Sequence, residues 1–327
     1  MARRYQRNMT RMAAWSVRRL IQLRYFGFSF LIAITVVGQK PCAPTVLGDL
    51  RVGRFESKTF GKLMTVRIWL PPGYDQTAQA NRKYPALYMF DGQTLFDECT
   101  AFKGEHELRL DETVASLIAD GKIPPIVIIG IDSTEDRSYE YAPYKNPVTE
   151  ADKPDPIGKK LPSFFADELV PWVRERYRVT NNAGDTGIGG TSLGAAAALF
   201  VSLQRPDLFG LALLQSPSLL LGNGQLLRDT AFLARAPDKV AIGVGTTEFN
   251  FPDIDSYFSQ YRLKRAQAEV GIVRMTEELA ANLKTARIKH SDVLLVVAPN
   301  ARHDSASWAA RMADAIVFLF GAPQNTR

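Results

Sequence analysis

The sequence predicts one α/β domain, with a mostly parallel, doubly wound sheet and helices on both of its faces. Short apolar runs alternate with longer stretches of helical pattern along the 327 residues, and this alternation is typical of parallel strands joined by crossover helices. The composition, 46% hydrophobic and 23% charged, is that of a globular chain long enough for one large domain and little more.

The predicted strands begin with an antiparallel pair. Residues 52–57 and 63–70 alternate between apolar and polar side chains and are closed by Pro71-Pro72-Gly73. Apolar runs typical of buried parallel strands follow at 86–90, 126–131, the short stretch before Ser192, 211–215, 240–245 and 293–298. Crossover helices are predicted at 110–119, 162–177, 194–204, 257–286 and 305–320. In such sheets, chemistry gathers in the loops at the carboxyl ends of strands, so the residues after each run are the first candidates.

Residues 1–48 differ from the rest of the chain in charge. They hold seven arginines, Lys40 and no acidic residue, so the formal net charge of +6 becomes −2 for the remainder. Because the basic charge is confined to this leader, it gives no support for nucleic-acid binding by the fold. The arginines run into an apolar stretch at 25–38, followed by small residues, which is the pattern of a secretory signal peptide. We therefore expect a secreted or periplasmic protein, with a transit peptide or an uncleaved anchor as alternatives.

The apolar stretch at 25–38 is too short to span a bilayer comfortably, so no stable membrane span is expected in the mature chain. The remainder is predicted to form the α/β domain at 49–321 and a polar tail at 322–327. Cys99 is left alone if cleavage falls after Cys42; otherwise the two cysteines could pair in an oxidising compartment. We expect both cysteines to be structurally incidental.

The most informative motif is Gly190-Thr191-Ser192-Leu193-Gly194, which fits the G-x-S-x-G turn between a strand and a helix. The run of alanines that begins at Ala195 strongly favours a helix directly after the motif. Such a turn holds its serine in strained backbone geometry, which only small residues two positions before and after it permit. The motif therefore predicts Ser192 as the nucleophile of a serine hydrolase, with an ordinary Gly/Ser loop as the alternative.

A serine nucleophile needs a histidine as its base. His303 follows the last predicted strand, in a loop at the carboxyl edge of the sheet. His290 precedes the same strand and belongs to the opposite edge, while His106 lies in a charged loop. Elimination favours His303.

The histidine in turn needs a carboxylate partner. Glu248 follows the run at 240–245, which gives the chain order Ser, acid, His expected of the α/β-hydrolase arrangement. Asp253 and Asp255 remain candidates for the same role, whereas Asp304 is expected to cap the next helix.

The oxyanion hole is predicted from two backbone N–H groups. One belongs to Leu193, directly after the nucleophile, and the other to Gly92 or Gln93, in the loop that follows the strand at 86–90. An ordinary Asp-Gly turn is the alternative reading of that loop.

Longer segments carry a family resemblance. They lie at 66–74, 84–93, 137–143, 168–171 and 205–210, together with the serine turn and His303 followed by Trp308. With these segments the chain resembles the Putative esterase family of α/β hydrolases, which includes siderophore esterases of the enterobactin type, feruloyl esterases and S-formylglutathione hydrolases. The resemblance implies the α/β-hydrolase fold, Ser192 and His303 as catalytic residues, and Asp91-Gly92-Gln93 as the oxyanion loop. Ala195 departs from the second glycine common in the family, and the family's variable acid keeps Glu248 open.

The sequence therefore predicts a serine carboxylic-ester hydrolase that acts through an acyl-enzyme. Its expected partner is a small ester, such as an acyl sugar, an aryl ester or a siderophore lactone. The alternatives are an acyltransferase with the same triad and a non-catalytic binding domain with this fold. No metal-ligand cluster or nucleotide-binding loop appears in the sequence, so no cofactor is implied.

Overall fold

The computed structural model describes residues 42–102, 105–145, 152–250, 254–255 and 264–322. The described residues from Cys42 onward form one compact unit. Most of the predicted leader, 1–41, lies outside the described residues, as do 323–327 of the predicted tail and Asp253.

An eight-stranded sheet organises this unit, in the order β1-β2-β4-β3-β5-β6-β7-β8. The strands are β1 Asp49–Ser57, β2 Lys62–Leu70, β3 Ala86–Phe90, β4 Val127–Ile131, β5 Thr186–Thr191, β6 Leu211–Gln215, β7 Lys239–Thr247 and β8 Asp292–Arg302. β2 runs antiparallel to β1 and to β4, and all other neighbours are parallel. The predicted fold class, a mostly parallel α/β sheet, is confirmed.

The helices occupy the connections between the strands. The α-helices are Leu110–Ala119, Arg137–Tyr141, Leu161–Ser163, Val170–Arg176, Leu193–Gln204, Leu221–Thr230, Arg265–Lys284 and Ser305–Phe320. No described helix is both long enough and apolar enough to cross a bilayer.

Helices cover both faces of the sheet because side chains alternate along its strands. In β3, Tyr88 and Phe90 join one core cluster, which includes the buried alanines of the helix Leu193–Gln204. Leu87 and Met89 join a second cluster, with the helices Leu110–Ala119 and Ser305–Phe320. The sheet is therefore buried on both sides, as its continuous apolar runs predicted.

The predicted helix at 162–177 is interrupted. A π-helical stretch, Phe164–Leu169, separates Leu161–Ser163 from Val170–Arg176, and the Val170 N–H donates to the Phe165 carbonyl five residues earlier. Pro171 follows directly and has no N–H to continue the regular α-helical pattern. Two helices were not predicted, Arg137–Tyr141 and Leu221–Thr230.

The two cysteines form a disulfide, Cys42–Cys99. It joins the N-terminal segment 42–48 to the loop after β3. Further hydrogen bonds hold this segment; among them, the Trp69 indole donates to the Leu47 carbonyl at 2.8 Å, and the Leu47 N–H donates to Asp111 at 2.6 Å. The expectation that both cysteines are structurally incidental is therefore wrong, because their bond links segments far apart in the chain.

Candidate active site

Four neighbouring strands, β5 to β8, end at the same edge of the sheet. The residues that directly follow them are Ser192, Ser216, Glu248 and His303. Parallel strands bring their carboxyl ends together, so one polar side chain from each strand reaches a common site.

A register shift between β7 and β8 brings the last two of these residues level. Gly245 pairs with Ala298, but Thr247, two residues later, pairs with Arg302, four residues later. β8 therefore carries two extra residues before His303. A Cβ atom at Gly245 would lie 2.1 Å from the Ala301 carbonyl oxygen, so only glycine permits this close approach.

The nucleophile turn is strained and crowded. Ser192 has φ 54° and ψ −120°, a conformation that non-glycine residues adopt only where their surroundings enforce it. A Cβ atom at Gly190 would lie 2.6 Å from the Gly194 carbonyl carbon, and one at Gly194 would lie 2.9 Å from Asp91 Oδ2. Both glycines of the motif are therefore required by close contacts.

A hydrogen-bonded chain runs from Ser192 through His303 to Glu248. His303 Nε2 lies 2.8 Å from Ser192 Oγ, and Nδ1 lies 2.6 Å from Glu248 Oε2. With a proton on Nδ1 donated to the carboxylate, Nε2 is free to accept the serine proton. Trp308 packs edge-on against the imidazole at 5.0 Å between ring centroids. This geometry can generate an alkoxide nucleophile at Ser192.

Glu248 is 1% exposed, and three donors converge on its carboxylate. The Ser216 hydroxyl lies 2.7 Å and the Gly245 N–H 2.5 Å from Oε1, and His303 approaches Oε2. Of the alternative acids, Asp255 is exposed and lies near Arg265, and Asp253 is outside the described residues. The structure thus brings Glu248, and not Asp255, to the histidine.

The other histidines lie elsewhere. His106 is exposed and contacts Glu98 at 2.7 Å, and His290 is exposed between the helix Arg265–Lys284 and β8. Asp304 caps the helix Ser305–Phe320 by accepting the Ser307 N–H, as predicted.

The loop after β3 approaches the nucleophile from the other side. A Cβ atom at Gly92 would lie 2.6 Å from the Gly130 carbonyl carbon, so Gly92 is required by its contact with β4. The Gln93 side chain donates to Ser133 Oγ at 2.6 Å and accepts the Ser133 N–H at 3.0 Å, which fixes the backbone at Gln93. Leu193 is the first residue of its helix, so its N–H has no intrahelical acceptor.

Sequence reasoning missed two polar contributors to this site. Ser216 directly follows β6, so the same strand-end rule that indicated Glu248 could have found it. Arg137 pairs through two hydrogen bonds of 2.7 Å with Asp91, which is 2% exposed. That pairing depends on a short helix that the sequence did not predict.

Ser192 lines one cavity, and its neighbour Leu193 lines another. The first, of about 210 Å³, is lined by Asp91, Thr94, Phe102, Glu105, Leu108, Arg137, Thr191, Ser192, His303, Ser305 and Trp308. The second, of about 540 Å³, begins at Leu193 and is walled largely by apolar atoms of Tyr139, Ala142, Pro154, Pro156 and Leu221. The described residues contain no cluster of three His, Cys, Asp or Glu side chains arranged to hold a metal ion.

Comparison with known proteins places this chain in a family. The model of the family described as Putative esterase matches residues 57–319, which is most of the chain. The chain belongs to this family, and its class is that of the carboxylic ester hydrolases.

Similar proteins include two named esterases. The chain is 27% identical over 169 residues to an endo-1,4-beta-xylanase/feruloyl esterase of Xylanibacter ruminicola, a match that covers 50% of this chain and 21% of that protein. It is 25% identical over 163 residues to the iron(III) salmochelin esterase of Escherichia coli, covering 49% and 33%. Each match therefore spans only a part of the relative.

Solved structures share the whole fold. The siderophore hydrolase EstB of Aspergillus nidulans superposes with a TM-score of 0.63 at 17% identity, covering 86% of this chain and 99% of EstB. At this identity the likeness establishes the fold alone.

Proposed function

We propose that this protein is a serine carboxylesterase in which Ser192, His303 and Glu248 form the catalytic triad. The supporting observation is the unbroken hydrogen-bonded chain from Ser192 Oγ through His303 to the buried Glu248 carboxylate. His303 takes the proton of Ser192 as the serine attacks the ester carbonyl, and Glu248 stabilises the imidazolium that forms.

The tetrahedral intermediate carries its negative charge on the former carbonyl oxygen. The N–H groups of Leu193 and Gln93 are the donors that we assign to it, because Gly92 is turned against β4. His303 then donates its proton to the leaving alcohol, and an acyl-enzyme forms at Ser192. Water activated by the same histidine releases the acid and restores the serine.

The cavity favours a small ester with an aromatic or short acyl part. Its volume of about 210 Å³ is walled by Phe102 and Trp308 and carries the charged groups of Glu105 and Arg137. One relative is named a feruloyl esterase and another a salmochelin esterase. The substrates that we propose for this chain stay those suggested by its sequence, namely acyl sugars, aryl esters and siderophore lactones.

The test is hydrolysis of short p-nitrophenyl esters by Ser192→Ala. Turnover should fall by about 10⁴-fold or more with the fold retained. Ser218→Ala is the matched control, since Ser218 Oγ lies 3.5 Å from Ser192 Oγ. This variant should change the rate by less than about fivefold. Unchanged hydrolysis by Ser192→Ala, or absence of labelling of Ser192 by a fluorophosphonate, would refute the assignment.

A substrate panel then separates the candidate classes. Feruloyl, acetyl-sugar and catecholate-lactone esters should be compared by kcat/KM, with glycerol added as a competing acceptor. A product that is mainly free acid supports hydrolysis, and a product that is mainly the glycerol ester supports acyl transfer instead.

We also infer that the protein is exported. The disulfide Cys42–Cys99 fits an oxidising compartment, where such bonds persist. Fractionation combined with thiol alkylation tests this inference: the chain should be found outside the cytosol with both thiols blocked, and a cytosolic chain with two free thiols would contradict it.

A further inference from the structure

A buried arginine lies behind the proposed triad. Arg311, in the helix Ser305–Phe320, is 6% exposed, and Trp308 and Met312 of the same helix belong to a buried hydrophobic cluster. It forms no ion pair within 4.0 Å with any carboxylate in the described part of the chain, and its Nη1 has no partner there. A buried cation without a direct counter-ion is costly, so its retention calls for a reason.

The contacts of Arg311 lead to the carboxyl ends of two strands. Its Nε donates to Gln215 Oε1 at 2.8 Å, at the end of β6, and its Nη2 donates to Ser216 Oγ at 3.2 Å. A Cβ atom at Gly243 would lie 2.7 Å from Arg311 Nε, so β7 leaves room for the guanidinium by having no side chain at this position.

The Ser216 hydroxyl connects Arg311 to Glu248, and the direction of its hydrogen bonds is fixed. A hydroxyl has one proton to donate and accepts two hydrogen bonds. Trp308 Nε1, at 3.0 Å, and Arg311 Nη2 both lack any acceptor capacity, so they donate to Ser216. The single Ser216 proton is therefore directed to Glu248 Oε1, 2.7 Å away.

Electrostatics act along the same line. Burial lowers the pKa of Arg311, and the negative charges of Glu248 and Asp304 act in the opposite direction. The guanidinium and the Glu248 carboxylate thus sense each other across Ser216, although they do not touch.

We propose that Arg311 and Ser216 are positioning residues of the esterase, which hold the Glu248 carboxylate in one orientation and moderate the negative potential that it exerts on His303. This inference rests on the proposed function. The cation offsets part of the negative potential that Glu248 exerts on the imidazole, so removing the cation should favour the imidazolium.

Arg311→Met tests this by removing the charge and keeping much of the volume. The acidic limb of the pH profile of kcat/KM should move to higher pH by about 0.5 to 1 unit. Arg311→Lys should shift it less, because the charge remains. Ser216→Ala should shift it in the same direction and lower kcat by about tenfold, the scale of one lost hydrogen bond.

Met312→Ala is the matched control for packing, since Met312 is fully buried beside Arg311 on the same helix. It should lower the melting temperature and leave the pH profile unshifted. A profile of Arg311→Met that matches the wild type, with a melting temperature lowered as in Met312→Ala, would overturn the proposal. If Arg311→Met does not fold, the pH profiles of Ser216→Ala and Arg311→Lys decide instead. A shifted acidic limb in Ser216→Ala supports the proposal, and unshifted profiles of both variants overturn it.

An NMR titration of the His303 ring protons, in wild type and in Arg311→Met, separates this proposal from the proposed function. The His303 pKa should rise in the variant whether or not any ester is turned over. If the wild type hydrolyses no ester but the His303 pKa still rises in Arg311→Met, the esterase role alone is refuted. If the wild type is an esterase but the His303 pKa is the same in Arg311→Met, the role of Arg311 alone is refuted.

Discussion

The proposed catalytic edge of the sheet and the N-terminal segment 42–48 each rest on a buried carboxylate, and they treat it in opposite ways. Glu248 and Asp111 are 1% and 0% exposed. Three donors converge on Glu248. Asp111 accepts the Leu47 N–H on Oδ2, and its Oδ1 meets no N–H or O–H donor among the described groups.

Asp111 compensates with a proton. Burial, together with a hydrogen bond to the neighbouring Glu112 carboxyl, raises the pKa of Asp111 to about 7. A hydrogen bond between two carboxyl groups requires one proton between them. The comparison teaches that a buried carboxyl group can be accommodated in two ways, by several converging donors as at Glu248 or by a retained proton as at Asp111.

The largest effect on kcat is expected at Glu248. Glu248→Gln preserves the shape of the side chain but leaves no negative charge to stabilise the imidazolium, so kcat should fall by about 10³- to 10⁴-fold. Asp255→Asn is the control, because Asp255 is exposed and should change kcat by less than about twofold. Crippled turnover of Asp255→Asn or Asp253→Asn, with an active Glu248→Gln, would transfer the role of the acid.

The backbone of the serine turn should also not tolerate an added Cβ atom. Gly190→Ala forces a Cβ atom to within 2.6 Å of Gly194, so we expect a loss of about 2 to 4 kcal/mol in the free energy of unfolding and at least a hundredfold lower activity. Gly271→Ala, in the helix Arg265–Lys284, meets no atom within 4 Å and should stabilise by up to about 1 kcal/mol. Denaturant titrations of both variants give the comparison, and equal effects would contradict it.

The segment 42–48 should affect stability more than catalysis. Replacing both cysteines by serine releases a bond that spans 57 positions in sequence, and should cost about 2 to 4 kcal/mol. The activity of the folded fraction should stay within about fivefold of the wild type, measured well below the melting temperature. A hundredfold loss of kcat without unfolding would instead make this segment part of the catalytic edge.

The smallest effect concerns the proton on Asp111. The native state keeps this proton up to about pH 7, whereas the unfolded chain releases it near pH 4. Its stabilising contribution is therefore complete below about pH 4 and is lost as pH rises through 7. Asp111→Asn imitates the protonated acid, so it should be more stable than wild type above pH 7, by at least about 1 kcal/mol because the pKa shift exceeds one unit.

Melting temperatures of wild type and Asp111→Asn from pH 4 to 8 provide the measurement. Asp120→Asn, at the other end of the same helix and half-exposed, is the control and should follow the wild type at every pH. A constant difference between Asp111→Asn and wild type across this range would show that Asp111 does not change its charge there.

The sequence was sufficient for features set by local pattern. The strands, the serine turn and the fold class follow from periodicity and glycine placement. The position of Glu248 follows from its place shortly after the predicted run at 240–245, and the observed strand ends directly before it. The catalytic roles of Ser192, His303 and Glu248 stay predictions. Contacts between distant segments were beyond local pattern: Arg311 and Ser216 are 95 positions apart, and Arg137 and Asp91 are 46 apart. Nothing in the residues alone distinguishes a buried arginine from an exposed one on the same helix.

The register shift between β7 and β8 has a consequence for chain length. Two residues of β8 are taken up opposite Gly245, and Asn300 adopts φ 57° to allow this. Since each residue advances a strand by about 3.3 Å, straightening the strand would carry His303 about 6 to 7 Å beyond Glu248. Because side chains alternate between the two faces of a sheet, two extra residues leave the later side chains of β8 on the same faces as before. The shift therefore changes how far along the sheet His303 lies, and not the face on which it lies. Insertions and deletions within 299–301 should therefore act mainly by displacing His303 from Glu248.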